Sequence, residues 1–363
     1  MEPLVRAYAG GDPIAASTLQ PGLRWFETSF GAWAYHHVDG FDVTLGGPLC
    51  EPGDRPEMIR RFLARSRRPI FFYLREDLLG LLEPTGLRCA GIGVDRHVDI
   101  PRLLAEPHPS VRGALRKADK AGFRLRPLAL DSLDPEARRR LEAITARYLA
   151  HAQVKVEMAF LNWPMNHADP GIRRVYALEK FDREHQGLFG YAVLNPIFDR
   201  GRRIGWLLDI LRFEPTRLWG VWLTTVHTLA RELHERGETL SIGFAPLHRV
   251  RPAPRAGSRI LQAQFDAAAR YLGGAQYLRR LRELKDAIPG PEQQRYLASY
   301  TRAAPPVLYA FLRAMKVPLA PLFGPRLLEV IGDGVRAQVR DKLSSWPPKG
   351  PSKGTSPTGS ASS

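Results

Sequence analysis

Apolar and polar positions follow two periods along the chain, and the switches between them predict its elements. Residues 25–38 and 41–50 read as strands joined at Asp39-Gly40, a dipeptide suited to a hairpin turn. A short apolar run at residues 69–74 predicts a buried strand, and residues 87–100 predict another. Helical periodicity over residues 57–66 and 76–82 places helices between these strands. A second series follows: a basic helix over 110–126 that Gly122 can terminate, a helix over 135–151, and strands over 176–178, 188–196 and 203–213. A helix of about five turns over 219–236 and a strand over 240–244 come next, then helices near 260–287 and 292–303. The element order after residue 130 loosely repeats the order before it, which suggests a tandem duplication on element order alone. A mixed sheet with helices packed on it is the implied class, α/β (α+β).

The ends of the chain read differently. Residues 305–332 are apolar and broken by prolines. They are expected to pack as a cap on the core, with a membrane-surface foot as the alternative, because Arg313 and Lys316 flank large apolar residues. Residues 343–363 cannot bury enough surface to fold and are expected to be disordered. The N-terminus carries an acid and no apolar core run, so it does not read as a secretion signal. No stretch approaches the roughly 18–20 apolar residues that a bilayer span needs. The chain is therefore expected to be cytoplasmic, or peripheral at the inner membrane face.

Composition adds one strong constraint. Of 363 residues 44% are hydrophobic, enough for a sizeable core, and the net charge is +16. Such an excess of arginine fits either a solvated basic surface or a polyanionic partner, nucleic acid or anionic membrane. The two cysteines, Cys50 and Cys89, fit no metal spacing, and a disulfide between them is neither required nor excluded. The ten histidines show no metal spacing, so no metal is expected. His36 and His37 fall in a predicted strand and face opposite sides as ordinary strand residues, and Ser241 lacks the elbow of a serine hydrolase.

Residues 203–247 are the most informative, reading as strand, loop, amphipathic helix and strand. The helix begins where an acyltransferase of the acetyltransferase type holds a pyrophosphate. That grip needs a run of the form R-x-x-G-x-G, whose glycines let backbone N–H groups close on phosphate. Here the run is Arg217-Leu218-Trp219-Gly220-Val221-Trp222, with one glycine kept and Trp222 in place of the last.

The order of motifs resembles the catalytic C-terminal region of phosphatidylglycerol lysyltransferases and their soluble relatives. Leu45-Gly46-Gly47-Pro48 resembles the family's early strand and turn, and Gly91-Ile92-Gly93 through Val98-Asp99-Ile100 the strand closing its first domain. Arg112 through Gly122 resembles its basic helix, Asp209 and Arg212 its D-x-x-R pair, and Ser241 through Leu247 a late strand end. The resemblance covers roughly residues 8–300. The chain departs from the family in three places. No multi-span N-terminal region is read. The late F-K-x-K-F segment stands as Leu284-Lys285-Asp286-Ala287-Ile288, and the aromatic that usually follows is replaced. The resemblance implies two tandem acetyltransferase-like (GNAT) domains, each a mixed, mostly antiparallel sheet flanked by helices. They are placed at 1–130 and 131–304, with an extension over 305–342 and a tail over 343–363. It also implies an aminoacyltransferase: aminoacyl-tRNA as co-substrate, no other cofactor, and a lipid head group on an anionic membrane as acceptor. An acyl-CoA- or carrier-dependent N-acyltransferase and an inactive binding module remain open alternatives.

Candidate roles follow. Asp209, an acid in an apolar strand, is expected to orient the acceptor hydroxyl or bind the donor's amino group, or else to form a structural pair with Arg212. The two positions are three apart and would face opposite sides of a regular strand, so a bulge or strand end is needed to bring them together. Arg212 is assigned to a phosphate or the donor's terminal adenosine, and Lys285 to charge developing on the attacked carbonyl. Arg112, Arg116 and Lys120 share a helix face and, with Arg217, Arg249 and Arg251, are expected to bind a polyanionic substrate. Residues 248–259 are read as a flexible basic loop, and Trp206, Trp219 and Trp222 as core.

Overall fold

Residues 1–130, 133–152, 155–165, 171–183, 186–216, 220–273 and 276–317 are described in a computed structural model of the chain. The first half contains α1 (Glu2–Tyr8), β1 (Arg24–Thr28), β2 (Gly31–Val38), β3 (Phe41–Leu45), β4 (Leu49–Cys50), α2 (Arg55–Arg65) and β5 (Pro69–Leu74). It continues through α3 (Leu79–Leu82), β6 (Arg88–His97), α4 (Ile100–Ala105) and α5 (Pro109–Lys120). The second half contains β7 (Arg124–Leu128), α6 (Pro135–His151), β8 (Arg174–Phe181), β9 (Gln186–Asp199), β10 (Arg202–Phe213) and α7 (Val221–Glu235). It ends with β11 (Thr239–Pro246), α8 (Arg259–Gly273), α9 (Gln276–Asp286), β12 (Glu292–Ser299) and α10 (Ala304–Ala314).

Local chemistry sets most boundaries. Asp39 and Gly40 both take positive φ, 48° and 80°, and pair Val38 with Phe41 across the turn. Asp134 caps α6 by accepting from the Ala137 amide at 2.7 Å, and Pro135 fills the first turn. Gly122, at φ 61°, ends the basic helix early, so residues 124–126 form the start of β7 and not its last turn. Residues 25–38 are two strands, because the chain turns between Thr28 and Gly31.

All twelve strands form one sheet in the order β1-β2-β3-β5-β12-β6-β11-β10-β9-β8-β7, with β4 pairing β2 at the side. It carries two acetyltransferase-like halves. In each, two parallel strands are connected through helices: β5 to β6 by way of α3, and β10 to β11 by way of α7. β12 lies antiparallel between β5 and β6. This corrects the helix expected over 292–303. The segment is built of good helix formers, but pairing on both edges overrides that preference. Arg295 fastens the strand from within. Fully buried, it donates to Asp12 at 3.1 Å and Asp95 at 2.9 Å and lies 4.6 Å over the Tyr73 ring.

One face of the sheet packs under α4, α5 and α7 around Trp206, Leu208, Leu240 and Ile242. The other carries α6, with Leu141 and Ile144 against Val193 and Ile210. In the first half, Phe72 stacks on Phe311 of α10 at 4.2 Å, so the start of the expected C-terminal cap does pack on the core. Residues 318–363, with the rest of that cap and the tail, lie outside the described residues.

Candidate active site

β10 and β11 pair in parallel only from Gly205–Thr239 to Leu207–Ser241. Beyond that point β10 stays on β9 and β11 stays on β6, but no pairing joins the two. A crevice opens between them, and backbone N–H groups along that side of β10 have no sheet partner there. β10 also has a register shift between Leu208 and Ile210, so Asp209 is the extra residue of a bulge. Trp206 and Leu208 before the bulge, and Leu211 and Phe213 after it, face α7, whereas Ile210 faces α6. The bulge therefore turns Asp209 and Arg212 to the same face.

They do not pair with each other there. Asp209 is buried and accepts from the Trp163 amide at 3.0 Å, Asn162 Nδ2 at 3.2 Å, Asn195 Nδ2 at 3.0 Å and Arg173 Nη2 at 3.4 Å. Burial pushes its pKa up, and Arg173 and these donors work against the rise. Arg212 donates to Glu157 Oε1 at 3.2 Å and lies 4.5 Å over the Tyr148 ring of α6. Burial favours its neutral form, but Glu157, Tyr148 and Tyr191 hold its pKa above the ordinary value. Tyr191 sits opposite Arg212 on β9, feels the charges of Arg212, Glu157 and Arg173, and bonds Thr145 at 2.6 Å. These partners arrive from segments that carry no motif. Residues 157–163 cross the face between α6 and β8, and Gln20 pins them by bonds to both Phe160 N and Phe160 O. At the end of β10, Glu214 holds Arg140 through both carboxylate oxygens and Arg147 at 2.6 Å.

Lys285 lies in a different environment. Its buried ammonium donates to the carbonyls of Gly243 at 2.9 Å and Phe244 at 2.7 Å, on the β11 side of the crevice. Burial pushes its pKa down to about 7 against the pull of Asp95. No contact among the described residues joins it to Asp209 or Arg212. The nearby His248, Asp286 and Glu292 are the one group of described residues with metal-ligand spacing. Arg96 bonds both of those carboxylates, and so does Arg249. Two guanidiniums already neutralise the acids, a poor setting for a cation.

The basic residues divide. Arg112, Arg116 and Lys120 are exposed on α5. Arg249 is committed to Asp286 and Glu292, while Arg251 is exposed and donates its amide to Gln294. The segment 248–259, expected as a flexible loop, is tied to β6 before Arg259 enters α8: Cys89 N donates to Ala256 O at 2.8 Å and Ser258 N to Cys89 O at 3.0 Å. Gly91 permits this approach, since a Cβ there would meet Arg251 O at 2.0 Å. Cys50 and Cys89 are buried free thiols. Arg217 and Trp219 lie outside the described residues.

Gly220 opens α7 at φ 85°. A Cβ on it would stand 2.4 Å from Ala114 Cβ, so the glycine lets α5 pack against the start of α7.

No helix among the described residues is long and apolar enough to cross a membrane. No curated protein sequence matches the chain. Its fold is similar to that of L-PGS from Bacillus licheniformis, at 18% identity and a TM-score of 0.68, covering 87% of this chain and 95% of that one. It is similar to the C-terminal DUF2156 domain of a protein described as a lysylphosphatidylglycerol synthetase from Agrobacterium fabrum, at 16% identity and a TM-score of 0.67, covering 86% and 94%. A conserved protein of unknown function from Bacteroides thetaiotaomicron is similar at 9% identity and a TM-score of 0.53, covering 82% and 95%. The model of the phosphatidylglycerol lysyltransferase C-terminal family matches residues 3–299, and the chain, with its two acetyltransferase-like halves and its D-x-x-R strand, belongs to that family.

Proposed function

We propose that this chain is an aminoacyltransferase that moves an amino acid from aminoacyl-tRNA to a hydroxyl on a lipid head group. The acceptor oxygen attacks the ester carbonyl, and the bond to the tRNA ribose breaks as the proton passes to the departing oxygen. The negative charge that develops on the carbonyl oxygen falls to Arg212 and to the unpaired N–H groups of β10 beside the bulge. Lys285, with its protons on two carbonyls, holds the β11 edge of the crevice. Asp209, its lone pairs occupied, positions the floor through Asn162, Trp163 and Arg173. The exposed cations of α5, together with Arg251, follow the phosphates of the donor or of an anionic membrane.

The observation that carries this reading is the packing of Ala114 against Gly220. An ester that arrives already activated needs no pyrophosphate grip at α7, whereas a coenzyme A thioester does. The test is transfer of labelled amino acid from charged tRNA into a lipid extract, abolished by RNase. Arg212→Ala is expected to lower the rate by about 10²–10³-fold. Binding of coenzyme A without binding of tRNA at low salt would replace this reading with an acyl-CoA-dependent one.

A further inference from the structure

The Glu157–Arg212 pair is incompletely used. Glu157 accepts one bond, on Oε1, at 3.2 Å, while its Oε2 is turned inward and has no hydrogen-bond partner among the described residues. Arg212 Nε is likewise buried without a partner among them. Beside Asp209 on the same face of the sheet, Trp163 Nε1 and Asn195 Oδ1 are in the same condition. Buried polar groups are ordinarily satisfied, so unused donors and acceptors gathered on one face mark a place built for a polar ligand. The spare groups of the ion pair are specific in kind: an anionic acceptor beside a cationic donor. An α-amino ester presents the complement, an ammonium group and a carbonyl oxygen on neighbouring carbons.

Resting on the aminoacyl-transfer reading, we infer that Glu157 binds the free α-ammonium group of the aminoacyl moiety and so places its carbonyl oxygen at Arg212. The Glu157 side chain is 29% exposed, so a cation can reach it from solvent. Its hold on Arg212 is one bond, and turning toward an incoming ammonium gives up only that bond. The Tyr148 ring, already beneath Arg212, keeps the guanidinium in place while this happens. A side-chain ammonium lies too far along the chain from its own carbonyl to satisfy both groups together. The site therefore reads the backbone of the amino acid and is indifferent to its side chain. Glu157 is in these terms a recognition residue and Arg212 the group that meets the reacting atoms.

The test uses the full chain and four small probes: lysinamide, alaninamide, and lysinamide acetylated on either the α- or the ε-nitrogen. Binding is followed by NMR titration. Acetylation of the α-nitrogen is expected to weaken binding by about ten- to a hundredfold, the loss of one charge-assisted contact, and acetylation of the ε-nitrogen to leave it unchanged. Lysinamide and alaninamide should bind alike. Glu157→Gln should bring the free amides down to the level of the α-acetylated one, with Glu157→Asp recovering part of the difference and both variants melting near the parent. A Glu157→Gln protein that keeps the full preference for the free α-amine overturns the proposal. So does a parent protein that senses the ε-nitrogen instead, or that binds none of the probes. Transfer from charged tRNA is measured separately: α-amine discrimination without tRNA-dependent transfer would sink the tRNA reading and leave the role of Glu157 standing.

Discussion

Two of the sheet's parallel strand pairs can be set side by side, β5 with β6 and β10 with β11, and only the first is filled. There β12 is wedged between them and paired on both edges, and Arg295 locks it to Asp12 and Asp95. In the second pair the strands part after Leu207 and Ser241, and nothing of the sheet enters between them. What separates the two places is whether the facing strand edges have been used up. In the first half Arg295 meets two carboxylates, Asp12 and Asp95. In the second, Arg212 meets one, Glu157, through a single bond.

The contrast can be tested where its effects are largest. Arg295→Met leaves Asp95 and Asp12 buried without their counter-charge. It is expected to destabilise the protein by about 3–5 kcal/mol in a urea titration. A loss below about 1 kcal/mol would mean that the wedge is held by strand pairing alone. Gly220→Ala forces a Cβ into Ala114 at a positive φ and should cost about 1–3 kcal/mol. Unchanged stability would show that α5 gives way and that the start of α7 is more accessible than its packing implies. A third test reads the pH dependence set by Lys285. Its folded pKa, about 7, lies below the unfolded value of about 10.4, so between these limits the unfolded chain holds the extra proton. Stability should therefore gain from this group as pH rises through that window, and Lys285→Met should flatten the slope. An unchanged slope would remove Lys285 from the buried charges of the crevice wall.

Much of the framework was legible from local pattern. The strand at 69–74 and the helix at 135–151 agree with β5 and α6, since each has its own signal in an apolar run or a cap. Parity shows that Asp209 and Arg212 share a face only at a bulge or a strand end, and the structure has the bulge. What could not be read was decided by distant partners. Residues 292–299 carry helix-forming side chains, and only the edges of β5 and β6 make them a strand. The family's D-x-x-R spacing groups Asp209 with Arg212. Their actual counter-charges come from Arg173, 36 residues away, and Glu157, 55 residues away, in segments with no recognisable pattern. Arg249 illustrates the same limit. As a sequence letter it is one basic residue among several, but in space two acids claim it.

The position of β12 also fixes an order of events during synthesis. A nascent chain that has completed α5 holds every residue of β5 and β6 but lacks the strand that joins them. The ribosome must add the whole second half before that seam closes. Until residues 292–299 emerge, Asp95 has no guanidinium to neutralise it and two strand edges stay exposed, so the part made first is among the last to become stable.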